Sequence, residues 1–257
     1  MNLQKLSISA VFFSLALLTP RDARPLALLD VEDPQNPVFE KTDAQDPGRF
    51  ILVLDPGHGG NDLGAVVGGH REKDIALSIA HRLKNMLEAR GAGAVRMTRE
   101  SDSFVPLDQR IDESLEWSGS VFVSLHLNQV RYKKLNGITV YAFGKEHFKS
   151  AARGRHQRKY APLPPPPKEM AKASASLAAG IVDSLRREGL RVDAPAKAGF
   201  YVLKNPGIPS VLIELGYLSN PQEAARLIDP AYQDKLAAAL AASLQSYIAR
   251  LPAASRP

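Results

Sequence analysis

Between Phe50 and Leu251, short apolar runs alternate with longer segments whose apolar residues recur at helical spacing, and this alternation limits the fold more than any other feature. The runs are FILVLD (Phe50–Asp55), AVRMT (Ala94–Thr98), SVFVSLH (Ser120–His126), GITVYAF (Gly137–Phe143), GFYVL (Gly199–Leu203) and SVLIEL (Ser210–Leu215). Apolar at successive positions, they read as strands buried on both faces. Lys73–Arg90 places Ile75, Ile79, Leu83 and Leu87 on one helical face, with Gly91 and Gly93 as a stop. Leu107–Trp117, Met170–Glu188 and the alanine-rich Tyr232–Leu251 are the other expected helices. Strands alternating with helices predict a single α/β domain over residues 49–251, a mostly parallel twisted sheet of about six strands with helices on both faces. A chain of 257 residues can bury such a core.

The flanks read differently. Lys5 precedes the apolar run Leu6–Leu18 and then Thr19-Pro20, the make-up of a secretory signal over residues 1–20 that is too short to span a membrane as a helix. Export to the periplasm or cell envelope is the expectation, although no clean A-x-A cleavage site follows. Residues 21–48, rich in proline and aspartate, read as a disordered linker, and residues 252–257 as a flexible tail. Within the domain, residues 145–168 form a basic insert ending in Pro162 and Pro164–Pro167, a composition that stiffens into polyproline II and cannot enter a sheet. Lysine and arginine exceed aspartate and glutamate by 33 to 27, a net charge of +6. That favours an anionic partner without choosing among nucleic acid, lipid and a wall polymer. No helix-turn-helix, zinc-finger or aromatic ribonucleoprotein signature supports a nucleic-acid partner. Cysteine is absent, which excludes disulfides, thiolate metal sites and cysteine nucleophiles.

Polar residues stand where apolar strands end: His58 just after the first run, His126 closing the third, and Glu214 within the last. The carboxyl ends of strands in an open parallel sheet border the ligand crevice, so these side chains can converge. Glu72 lies just ahead of a helix, across the glycine-rich loop that follows His58. Two imidazoles and a carboxylate with one open position form a common catalytic zinc shell, and a second carboxylate beside it supplies an acid/base. Each residue taken alone also suits a hydrogen-bonded surface histidine or a helix-start glutamate. Glu214 resists that reading, because a carboxylate inside an apolar run is costly unless paired or metal-bound.

Five motifs occur in order: DPGHGGNDLGA (Asp55–Ala65), REKDIAL (Arg71–Leu77), RMTRESDSFVPLDQRI (Arg96–Ile111), VFVSLHLN (Val121–Asn128) and VLIELGYLSN (Val211–Asn220). Together they resemble the catalytic domain of the zinc-dependent N-acetylmuramoyl-L-alanine amidases of bacterial cell-wall turnover, over nearly all of residues 50–248. The resemblance implies that His58, Glu72 and His126 bind Zn2+ and that Glu214 is the catalytic acid/base. It implies hydrolysis of the amide between the muramoyl lactyl group and L-alanine of peptidoglycan, by water and without a covalent intermediate. Peptidoglycan is the implied partner, with an activator protein as a further candidate; a monomer is expected, with the membrane touched only through the signal. A zinc peptidase of wall peptides and a non-catalytic wall-binding module on the same scaffold are the alternatives.

Asp55 and Asp62 are candidates to hold the second nitrogens of the histidines, and Arg99 and Arg110 to pair with those carboxylates or with substrate. His70, His81, His147 and His156 match no motif position. Leu127 and Leu215 stand where family members often carry alanine and threonine, which makes the neighbourhood more apolar. Division-linked members carry a long insert whose helix plugs the zinc site. Here the insert is short, basic and proline-rich, with Glu146 and Glu169 the only nearby carboxylates, so an enzyme not gated by such a helix is expected.

Overall fold

The computed structural model describes residues 50–144 and 160–251. The expected signal, linker and tail, and the basic part of the insert with Glu146, His147 and His156, lie outside the described residues. In chain order the elements are β1 (Ile51–Pro56), β2 (Val66–Val67), β3 (His70–Arg71), α1 (Glu72–Ala89), β4 (Ala94–Met97), α2 (Leu107–Glu116), β5 (Val121–Asn128) and β6 (Thr139–Phe143). They continue with α3 (Lys168–Arg187), β7 (Ala196–Ala198), a 3-10 turn (Tyr201–Lys204), β8 (Ser210–Tyr217), α4 (Pro221–Leu227) and α5 (Pro230–Ile248).

The main sheet runs β4-β1-β5-β8-β6-β7, with β2 and β3 forming a separate small hairpin. Strands β4, β1, β5 and β8 are mutually parallel. β6 joins β8 antiparallel and carries β7 parallel to itself. The expected mostly parallel six-stranded α/β domain is therefore what the chain forms.

Side-chain alternation along each strand sorts the sheet into two unlike faces. One face packs Leu52, Leu54, Val123, Leu125, Val211 and Ile213 against Ile79 and Leu83 of α1, Leu177 and Ile181 of α3, and Leu236 and Leu240 of α5. The other carries a smaller cluster in which Val53, Phe122 and Leu212 meet Phe200, Val202 and Leu203, with Leu107 and Trp117 at the ends of α2 packed against it. Toward the carboxyl ends of β1, β5 and β8, positions in phase with this second cluster become polar: Asp55, Ser124, His126 and Glu214. The lightly covered face is thus the one that turns to chemistry.

The run GFYVL departs from expectation. Edge pairing with β6 is made by Ala196–Ala198, and Tyr201–Lys204 coils into a 3-10 turn. Phe200 to Leu203 are four consecutive buried side chains, and a continuous apolar run carries no period that separates strand from a buried turn. Asn205, wedged before Pro206, accepts hydrogen bonds from the Gly207 and Ile208 amides and so holds the chain away from the sheet. Helix α4, which the periodicity does not announce, is short and owes its start to Asn220, whose side chain accepts from the Gln222 and Glu223 amides ahead of Pro221.

Candidate metal centre

β1 ends at Pro56, and the chain turns back through Gly57–Gly60. Gly57 has no room for a side chain: a Cβ there would lie 2.1 Å from the His126 ring. His58 itself sits at φ 62°, a left-handed backbone that costs a non-glycine residue on the order of 1–3 kcal/mol and persists only where its surroundings enforce it.

Here two arginines enforce it. Arg110 Nη1 donates to Pro56 O at 3.0 Å and Nη2 to His58 O at 2.9 Å. Arg99 Nε donates to Pro56 O at 2.9 Å and Nη2 to Gly57 O at 2.8 Å. Beneath them Asp55 accepts from Arg110 at 2.5 Å, Thr98 at 2.7 Å and Ser124 at 2.6 Å. Burial works to raise the Asp55 pKa, but Arg110, with Ser124 and Thr98, holds it below the usual carboxylate value. A second tether lies further along the loop. Lys73 Nζ donates to Gly60 O at 2.8 Å and to Asp102 at 2.6 Å, while Asp102 accepts from the Gly60 amide.

Glu72 opens α1, and its two oxygens divide the work. Oε2 accepts from the Ala65 amide at 2.8 Å; Oε1 accepts from the Leu127 amide at 2.9 Å and lies 2.9 Å from His126 Nδ1. His58 Nε2 lies 3.2 Å from Oε2. Donor atoms of His58, Glu72 and His126 all fall within 4.8 Å of one another. On the loop side, Gly64 at φ 66° leaves the space that the Glu72 carboxylate and the His58 ring occupy.

Asp62 fixes the orientation of His58: its Oδ2 lies 2.8 Å from Nδ1, leaving Nε2 to face Glu72. That Nε2 is buried yet makes no hydrogen bond of adequate geometry, as expected of an atom whose partner is a cation. Burial opposes charging of the imidazole, but Glu72, followed by Asp62, outweighs it and raises the pKa to about 9. The carboxylates around this ring therefore favour positive charge in the pocket, which a divalent cation held by the neutral imidazole would supply in place of a proton. Buried nitrogen and carboxylate donors, cleared by Gly57 and Gly64, suit a divalent zinc ion.

Glu214 is not part of that trio. It sits on β8 directly across from His126 in the parallel register, 3 % exposed. One extra residue of β8 is accommodated immediately afterwards, between the pairs His126–Glu214 and Asn128–Tyr217, and such bulges aim side chains beside active sites. The cluster opens on a cleft of about 380 Å³ whose other walls include Phe104, Tyr160, Phe200 and Tyr201.

Of the two aspartates expected behind the histidines, Asp62 reaches a ring, whereas Asp55 anchors Arg110, Thr98 and Ser124. Arg110 takes a carboxylate and Arg99 takes carbonyls. Leu215 packs into the large helix-covered core, on the opposite side of the sheet from Glu214 by alternation, and Leu127 belongs to that core while bordering the cleft. Glu169 is exposed in the first turn of α3. Lys73 and Asp102 both lie inside the motifs, but nothing in their spacing tells that they pair with each other and both bind Gly60.

The family model for N-acetylmuramoyl-L-alanine amidase matches residues 52–246. The chain belongs to the N-acetylmuramoyl-L-alanine amidase family. It is 34% identical over 213 residues to the germination-specific N-acetylmuramoyl-L-alanine amidase of Bacillus subtilis, covering 77% of this chain and 79% of that protein. It is 31% identical over 222 residues to the amidase AmiC of Escherichia coli, covering 78% of this chain but 53% of AmiC, so it spans about half the length of that relative. Among solved structures, the N-acetylmuramoyl-L-alanine amidase from Clostridium difficile 630 superposes with a TM-score of 0.66 at 27% identity, over 80% of this chain and 100% of that one.

If the trio His58, Glu72 and His126 takes up zinc, Asp62→Asn is expected to weaken that uptake about 10- to 100-fold by loosening the His58 ring. Competition against a fluorescent chelator measures it; an unchanged affinity would mean that Asp62 does not orient the ligand.

Proposed function

We propose that this chain hydrolyses the amide between the muramoyl lactyl group and L-alanine of peptidoglycan. His58, Glu72 and His126 hold a zinc ion, and Glu214 acts as acid and base. The observation that carries this reading is the convergence of the three donors within 4.8 Å in the lining of a cleft, in a chain of the amidase family.

When bound, zinc polarises a carbonyl and brings the pKa of water to around 7. Glu214 receives the proton of the attacking water and delivers it to the departing alanine amine. Glu72 keeps its place through the Ala65 and Leu127 amides, and Asp62 holds the His58 ring. The apolar and aromatic walls exclude bulk water and strengthen the electrostatic interactions inside. No helix among the described residues is long and apolar enough to cross a membrane; export through residues 1–20 would deliver the domain to its substrate in the cell envelope.

The test is mass spectrometry of purified sacculi digested with the protein. Free lactyl-muramic glycan together with intact stem peptides starting at L-alanine is the expected product pair, and a chelator should abolish it. Cleavage within the stem peptide instead would make the protein a peptidase and overturn the reading.

A further inference from the structure

β5 ends at Asn128, which with His126 and Gln129 lines the cleft, and the chain then enters an exposed loop reading Arg131-Tyr132-Lys133-Lys134-Leu135. The loop is tied at both ends by side chains of the β8–α4 turn and of the first turn of α4. Ser219 Oγ accepts from the Val130 amide at 3.2 Å, Asn220 Nδ2 donates to Leu135 O at 3.1 Å, and Glu223 Oε1 accepts from the Gly137 amide at 2.9 Å.

These anchors hold a basic and apolar set of side chains out to solvent. Arg131, Lys133 and Lys134 are exposed and form no ion pair with a described residue. Tyr132, 60% exposed, is the most exposed large apolar side chain among the described residues, and Leu135 is 41% exposed. Three unpaired cations interleaved with an aromatic ring and an aliphatic side chain offer both charge and apolar contact to one partner.

We infer that the Arg131–Leu135 loop is a docking site for the wall polymer outside the cleft. The cations meet carboxylates of neighbouring stem peptides, while Tyr132 and Leu135 pack on sugar or peptide surfaces. The inference rests on the reading of peptidoglycan as substrate. An insoluble polymer with repeated carboxylates fits the loop better than a lone small anion, because it engages three spread charges at once. The loop leads directly out of the cleft wall, so a strand held there stays beside the site that cuts it.

The experiment measures co-sedimentation of the full chain with sacculi stripped of covalently attached anionic polymers. All proteins carry Glu214→Gln, so that binding is read without cleavage. Adding Arg131→Glu, Lys133→Glu and Lys134→Glu together should weaken sedimentation on the order of tenfold, and raised salt should erase most of the difference. Tyr132→Ala should weaken it less, about threefold. Unfolding temperatures should match the parent, since every altered side chain is exposed; Lys133→Gln with Lys134→Gln repeats the measurement with milder changes. Equal sedimentation of parent and charge-reversed protein overturns the inference. So does tighter binding of the parent to vesicles of phosphatidylglycerol in phosphatidylcholine than to sacculi, which would assign the loop to a membrane surface. Product analysis of the unmutated chain stands apart: loss of amidase products with docking intact would sink the functional reading and leave the loop's affinity for the polymer in place.

Discussion

Glu214→Gln should reduce amide hydrolysis about 10²- to 10⁴-fold while leaving the zinc content of the purified protein unchanged. Glutamine preserves the shape and polarity of the side chain but cannot take up the proton of water at neutral pH. The position suits the test, since Glu214 is buried on β8 beside His126 in register yet lies outside the trio of converging donors. Product release from sacculi gives the rate, and elemental mass spectrometry gives the metal content. Activity within tenfold of wild type would remove Glu214 from proton transfer, and loss of zinc would make it a ligand instead.

Arg110→Met should lower the stability of the metal-free protein by about 3–5 kcal/mol, or about 10 °C in unfolding temperature for a domain of this size. Arg110 is 2% exposed, and its guanidinium binds Asp55, two carbonyls of the His58 turn and Val105 O. Methionine fills much of the space but leaves the Asp55 carboxylate buried without its cation. The double variant Arg110→Met with Asp55→Asn should recover part of the loss, since the uncompensated charge is then gone. The pH dependence has a definite sign. Asp55 is held below its ordinary value of 3.8, so its contribution is present above that pH and disappears as the solution is acidified through the lower, folded-state value. Thermal melts followed by circular dichroism decide the matter; a shift below about 3 °C would mean that water replaces the arginine at little cost.

Arg110 also shows where a sequence stops speaking. Its place in RMTRESDSFVPLDQRI marks it as a residue of interest, but its charge is equally suited to substrate. Only the folded chain shows that it is enclosed and committed to Asp55 and to the strained turn at His58. Lys73 and Asp102 are hidden in the same way, since they pair directly across 29 positions and both bind the backbone of Gly60. Asp55 and Asp62 look alike in sequence as aspartates of a glycine-rich stretch, but Asp55 lies inside β1 and meets Arg110, whereas Asp62 lies in the loop and meets His58.

By itself the sequence determined the element order, the parallel sheet, and the candidacy of His58, His126 and Glu214, because burial on both faces demands apolar runs and a polar residue at the end of one stands out; Glu72, ahead of a helix, was marked by the motif it stands in. It misread GFYVL, where four buried side chains in succession carry no period. Tertiary structure alone decided which face of the sheet opens to solvent: α1, α3 and α5 all pack on one side, and alternation then places His126 and Glu214 on the other. It alone also brought a loop, a helix start and a strand end within 4.8 Å. The physical reason is that spacing along a chain encodes local geometry, whereas contact between remote segments follows from how whole elements pack.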